Sequence, residues 1–124
     1  MKKYTLSKKK RLSSNNQFKA ILADGYSARD GLLILYMSRN DCGYSRLGVS
    51  VGKIHGNAVV RNRLKRLMRE VFRQNQDQIP EDFDYLLLIP NKNGTKIQPA
   101  FEQIKKSFLY LVDSISKKYV SKDE

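Results

Sequence analysis

The residues of this chain best suited to chemistry are crowded into Gly56 to Phe72, GNAVVRNRLKRLMREVF. Between positions 61 and 73 stand five arginines (Arg61, Arg63, Arg66, Arg69 and Arg73), with Lys65 and Asn62, against the single acid Glu70. On a helix turning about 100° per residue, Val60, Leu64, Leu67, Met68 and Val71 fall in one apolar sector that requires a core. Arg61, Lys65, Arg66, Arg69 and Arg73 spread over a neighbouring sector of roughly 140°, and Arg63 borders the stripe on its other side. Each close pair of like charges costs about 1 kcal/mol even in water, so an anion that relieves the repulsion explains the arrangement better than a merely solvated face does. Arginine forks onto phosphate oxygens, and asparagine offers a donor and an acceptor to a sugar or base edge. Asn57 is placed to cap the helix, which aims the first backbone N–H groups outward at such an anion.

Catalysis by the chain alone would need metal-binding carboxylates, a His or Lys base, or an activated nucleophile. The sole histidine, His55, reads as a turn residue before Gly56, and the acids show no metal-ligand spacing. Phosphate loops, dinucleotide fingerprints and CxxC pairs are missing as well. No catalytic residue and no metal ligand is therefore assigned. The net charge of +12 over 124 residues suits a single domain with a polyanionic partner. Cys42, the only cysteine, permits no internal disulfide and suits a reducing compartment.

Scaffold elements follow from periodicity. Residues 1–11 form a basic arm (Lys2, Lys3, Lys8, Lys9, Lys10, Arg11) whose repulsion predicts flexibility until an anion binds. A capping box from Ser14 to Gln17 starts a helix ending at Gly25, with Phe18, Ile21 and Leu22 on its apolar face. Leu32 to Ser38 and Arg46 to Lys53 read as an antiparallel pair joined by a turn at Asn40 to Gly43, with a short strand before Gly31. In the second strand Leu47, Val49 and Val51 alternate with Arg46, Gly48, Ser50 and Gly52, so one face enters a core and the other is almost bare, a groove floor. Tyr36 has the parity to project over that floor; Phe18 is either core or an aromatic lining the groove. After the basic helix, Tyr85 to Ile89 is a strand buried on both faces. Pro99 opens a last helix with Phe101, Ile104, Phe108, Leu111, Val112 and Ile115 on one stripe, and residues 117–124 are expected to fray. The order is α-β-β-β-α-β-α, an α+β single domain with one sheet packed against helices.

The segment GNAVVRNRLKR, Gly56 to Arg66, closely resembles the Arg-Asn-Arg signature of the bacterial ribonuclease P protein subunit. The preceding GVSVGK (Gly48 to Lys53), the RL…F run from Arg11 to Phe18 and the element order extend the resemblance over nearly the whole chain. It implies one mixed sheet packed with helices, the fold also found in the second domain of a small-subunit ribosomal protein. It implies a protein cofactor of an endoribonuclease in which a large RNA is the catalyst and holds the Mg²⁺, none being bound stably by the protein. The implied partners are that catalytic RNA and precursor tRNA, whose 5′ maturation the particle performs; no protein partner is required. By resemblance Lys53, Asn57, Arg61, Asn62, Arg63, Lys65, Arg66 and Arg69 hold RNA, while Phe18, Tyr36, Arg46 and Ser50 lie in a cleft for the 5′ leader. Leu22 departs from the pattern, standing where some relatives carry a second aromatic, and Ile54-His55 stands where a lysine and an aliphatic residue are common beside Lys53.

A ribosomal or other structural RNA-binding protein is the nearest rival, disfavoured because its cations would be dispersed. A DNA-binding regulator would need a helix-turn-helix partner or a dimer seam. No apolar run approaches the roughly 20 residues of a membrane helix and no export signal is visible, so a soluble, cytoplasmic protein is expected.

Overall fold

The computed structural model of the chain describes residues 10–12, 14–90 and 99–123. The arm before Lys10 and the polar loop at 91–98 lie outside those residues, as do the side chains beyond Tyr119. Seven main elements follow in order: α1 (Asn15–Asp24), β1 (Tyr26–Arg29), β2 (Ile34–Arg39), β3 (Arg46–Val51), α2 (Ala58–Gln74), β4 (Phe83–Ile89) and α3 (Phe101–Asp123). This is the α-β-β-β-α-β-α order, an α+β domain with one mixed four-stranded sheet.

The strands are ordered β1-β2-β4-β3, with β4 antiparallel to β2 and parallel to β3. The expected β2–β3 pair is therefore wrong: β4 lies between them. Its run Tyr85-Leu86-Leu87-Leu88-Ile89 can be covered on both faces and both edges only at the centre of the sheet, and that requirement overrides the local turn signal. Instead of closing a hairpin, the connection from Asn40 to Ser45 passes the start of β4. The Asn40 N–H donates to the Asp82 carbonyl at 2.8 Å, and its side-chain amide to the Asp84 carboxylate at 2.7 Å.

Register assigns each parity of the strands to a face. Leu33, Leu35, Met37, Leu47, Val51, Tyr85, Leu87 and Ile89 point into the main core, which α2 closes with Leu64, Met68, Val71 and Phe72, and α3 with Ile104, Phe108, Leu111 and Ile115. Phe72, Tyr85 and Phe108 meet with ring centroids 5.5–6.3 Å apart, a tilted and edge-on packing suited to their quadrupoles. Burial pushes the Tyr85 hydroxyl pKa far up, and the group donates to the Pro80 carbonyl at 2.5 Å. Phe72 belongs to this core as well, one residue beyond the stripe that periodicity ends at Val71.

The start of α3 differs from expectation. The helix begins at Phe101, two residues after Pro99, where the Ala100 N–H donates to Gln103 Oε1 at 2.8 Å. Lys117 to Tyr119 continue the helix with contacts to the sheet: the Tyr119 ring packs 4.9 Å from that of Phe83, its hydroxyl donates to the Met37 carbonyl at 2.7 Å, and Lys118 Nζ reaches the Ser27 carbonyl at 2.9 Å. Tyr119 extends the stripe by one turn beyond Ile115, at a residue whose polar tip hid its packing role.

On the other face α1 covers part of the sheet. Ser14 accepts from the Gln17 N–H while Gln17 Oε1 accepts from the Ser14 N–H, both at 3.1 Å, so the capping box forms. Gly25 ends α1 in an extended conformation; a side chain there would come within 2.7 Å of the Ile21 and Met37 carbonyl oxygens, so close approach, not a left-handed turn, requires glycine. Among the described residues, Leu12, Ile21 and Leu86 are sealed in this second cluster, with Phe18, Tyr36 and Leu88 half-buried around them. Leu22 was expected on the same apolar face, yet it is 47% exposed, because the narrow contact is filled by Phe18 and Ile21 one turn apart.

Candidate nucleic-acid interface

The basic helix is fixed at its start. Gly56 holds φ 140, a value that side chains resist, and a Cβ there would lie 2.8 Å from Val60. Asn57 accepts from the Val60 N–H at 3.1 Å through Oδ1, so this site residue serves the cap, and the Arg61 Nε donates back to the Gly56 carbonyl at 3.2 Å. His55 is fully buried in the short turn Lys53–His55, more enclosed than a plain turn residue would be, while Lys53 is exposed.

With the apolar stripe seated, the cations divide. Arg63 and Arg66, with Asn62, are exposed on the outer side; Arg61, Lys65 and Arg69, spaced four apart, are half-buried along one flank. Arg73 is set apart by its pairing with Glu70 at 2.6 Å, which raises the pKa of the arginine and lowers that of the acid. Among the described residues Arg61, Lys65 and Arg69 show no such ion pair, and Arg69 is shifted down by burial and then by the nearby charge of Arg11.

Phe18, Tyr36, Arg46 and Ser50, the four residues that the resemblance assigns to a cleft, lie on one face of the sheet, the α1 side. Tyr36, Leu86 and Gly48 form one cross-strand row; Ile34, Leu88 and Ser50 form the next; Ser38, Asp84 and Arg46 form the third. Phe18 descends onto the middle row: a Cβ added at Gly48 would sit 2.8 Å from its ring. Phe18 is thus neither sealed core nor a free platform. The Ile34–Leu88–Ser50 row beyond it is half-open, with the exposed Arg29 of β1 registered against Ile34. Arg29 was not singled out from sequence, although its β1 parity relative to Tyr26 and Ala28 was the available signal.

Arg46 proves to be tied down. Its Nε and Nη2 each donate at 2.7 Å to one oxygen of Asp84, its registered neighbour on β4, and these bonds raise its pKa. The side chain is still 22% exposed, but its charge is committed to Asp84. No group of three or more His, Cys, Asp or Glu side chains is placed to hold a metal ion among the described residues. Among those residues, too, no helix is long and apolar enough to cross a membrane.

Fold and surface together define a small basic α+β domain that presents an arginine-rich helix beside an edge strand and a lightly covered sheet face. The sequence model of the family described as Ribonuclease P matches residues 6–116, and the chain belongs to that family. It is 37% identical over 107 residues to the ribonuclease P protein component of Mesoplasma florum, covering 86% of this chain and 96% of that one. Among solved structures it resembles the RNase P protein from Thermotoga maritima (TM-score 0.75, 32% identity, 85% of this chain and 96% of that chain). The Staphylococcus aureus RNase P protein is similar too, with TM-score 0.72 and 30% identity over 87% of this chain and 95% of that chain.

Proposed function

We propose that this protein is the non-catalytic subunit of a bacterial, cytoplasmic ribonucleoprotein ribonuclease P, in which α2 binds the catalytic RNA and the α1 face binds the 5′ leader of precursor tRNA. The observation that carries the reading is the pair of separate surfaces: exposed Asn62, Arg63 and Arg66 on one helix, and Phe18, Tyr36 and Ser50 gathered on the far side of the sheet. In this reading Lys53, Arg61, Lys65 and Arg69 neutralise phosphates of the catalytic RNA, releasing counterions. Asn57 closes the helix end that meets them, and Phe18 and Tyr36 offer ring surface to unpaired leader bases, each stack being worth about 1–3 kcal/mol. A protein that touches both RNAs lowers their mutual repulsion and raises substrate affinity without reacting itself. Mg²⁺ supplies the Lewis-acid chemistry from its site on the RNA.

Reconstitution tests this. Purified protein added to a cognate catalytic RNA at low Mg²⁺ is expected to restore endonucleolytic cleavage of precursor tRNA, with neither component active alone. Cleavage by RNA-free protein, abolished by a single side-chain change, would contradict the division of labour; a protein without effect on the RNA would favour a structural RNA-binding role.

A further inference from the structure

Among the described residues, the N-terminal arm meets the sheet at Arg11 and Leu12 with a definite geometry. Arg11 forms a parallel bridge with Leu47 on the free edge of β3, and the Leu12 N–H donates to the Leu47 carbonyl at 2.8 Å. Bridged residues send their side chains to the same face. Leu47 enters the main core on the α2 side, so Arg11 departs on that side, while Leu12 turns the other way into the cluster under Phe18. Thus one dipeptide serves both faces. Arg11 is exposed on the side of β3 against which α2 packs, and its charge acts on Arg69, the last of the row Arg61, Lys65, Arg69.

From this placement we infer that Arg11 and Arg69 form a two-guanidinium clamp for a single backbone phosphate of RNA at the β3 edge, joining the basic helix to the arm. Two arginines held together repel, and the one nearby acid on α2, Glu70, is occupied by Arg73. A phosphodiester relieves the repulsion, because each guanidinium can fork onto its non-bridging oxygens. Burial of Arg69, together with the charge of Arg11, lowers its pKa, consistent with a cation kept close to another and short of an acid. The row rises along α2 in steps of about 6 Å, on the order of the spacing between successive phosphates, so the clamp would end a track that Arg61 and Lys65 begin. The inference rests on the proposed function only for the identity of the polyanion.

A double-mutant cycle tests the clamp, using a uridine homopolymer as probe and dissociation constants measured over a range of salt. Arg11→Gln and Arg69→Gln should each weaken binding about tenfold. The double variant should fall well short of the hundredfold product, because the two side chains share one phosphate. Free Arg11→Gln should melt no lower than the parent, and at low salt higher, since a repulsion is removed; Arg11→Lys should recover only part of the affinity. Multiplicative losses, a silent Arg11→Gln, or a lowered melting temperature in that variant would each overturn the clamp. If the parent supports precursor-tRNA cleavage while Arg11→Gln binds normally, the clamp fails and the proposed function stands. A parent that couples the two arginines but supports no cleavage gives the reverse outcome.

Discussion

The two faces of the sheet are drawn from the same four strands and differ in how much they bury. On the α2–α3 side, Leu33, Leu35, Met37, Tyr85 and Leu87 have no exposed surface, and two helices complete a continuous core. On the α1 side the intervening residues include Gly48, Ser50 and Tyr36, and among the described residues the cluster beneath one short helix is the small set Leu12, Ile21 and Leu86. With a side-chain period of two, each strand carries two independent messages, one for stability and one for the surface left open. Small residues on the second parity sacrifice burial that a valine or leucine would supply, at roughly 25 cal/mol per Å² of apolar area, and in return leave room over the floor. The basic helix follows the same logic: its apolar stripe anchors it, which frees the remaining sectors for cations.

Removing a ring from each face is the severest test of this contrast. Phe108→Ala should cost about 3–5 kcal/mol of unfolding free energy, whereas Phe18→Ala, at a half-open site, should cost less than half as much. Denaturant titration of both variants measures this, and equal losses would mean that the faces do not differ as described. Filling the bare face comes next. Gly48→Val pushes into the Phe18 ring and the Leu12 and Leu86 side chains, so it should destabilise by about 1–3 kcal/mol and weaken leader binding, while assembly with the catalytic RNA is preserved. Valine tolerated without loss of stability or binding would show that the floor is not sterically defined.

A smaller effect is expected where the dense side is tied by polar contacts. Burial alone would raise the Asp30 pKa, but the Ser107 hydroxyl and the Leu33 and Leu32 N–H groups together outweigh it and hold the carboxyl below the usual range. A depressed folded-state pKa contributes stability that is present above the unfolded value, near 3.9, and is lost as pH falls through the folded one. Asp30→Ala should therefore cost about 1–2 kcal/mol at neutral pH, and the gap from the parent should close as the solution is acidified below about pH 4. Thermal melts over that range report it, and RNA binding should be unaffected.

What the sequence made legible was local. The Ser14–Gln17 capping box, the Asn57 cap, the two sectors of α2 and the burial of β4 on both faces, complete but for Leu88, all depend on residues a few positions apart. The insertion of β4 between β2 and β3 was not legible, because the pairing spans more than thirty residues and competes with a plausible turn at Asn40 to Gly43. Nor was the capture of Arg46 by Asp84, which depends on that register. Strand parity did place Tyr36 and Ser50 on the bare side, and Phe18 meets them there. The attachment of Arg11 to β3 lay beyond reach for the same reason as the β4 insertion: a single long-range bridge leaves no periodic trace.

The central claim is that the helix and the sheet face engage different RNAs, and one comparison tests it most directly. Affinity is measured for precursor tRNA with a long leader and for leaderless mature tRNA, with the holoenzyme assembled from parent, Phe18→Ala, and Arg63→Ala/Arg66→Ala proteins shown to be folded. Phe18→Ala is predicted to assemble normally and to lose about 1–3 kcal/mol for the leader-bearing substrate alone. The arginine variant should instead weaken assembly, by about 1.5–3 kcal/mol for each charge-assisted hydrogen bond to phosphate that is removed, with little change in leader preference once assembled. If folded Phe18→Ala binds both RNAs as the parent does, or if the arginine variant assembles normally and loses leader preference, the assignment of separate partners to the two surfaces is contradicted.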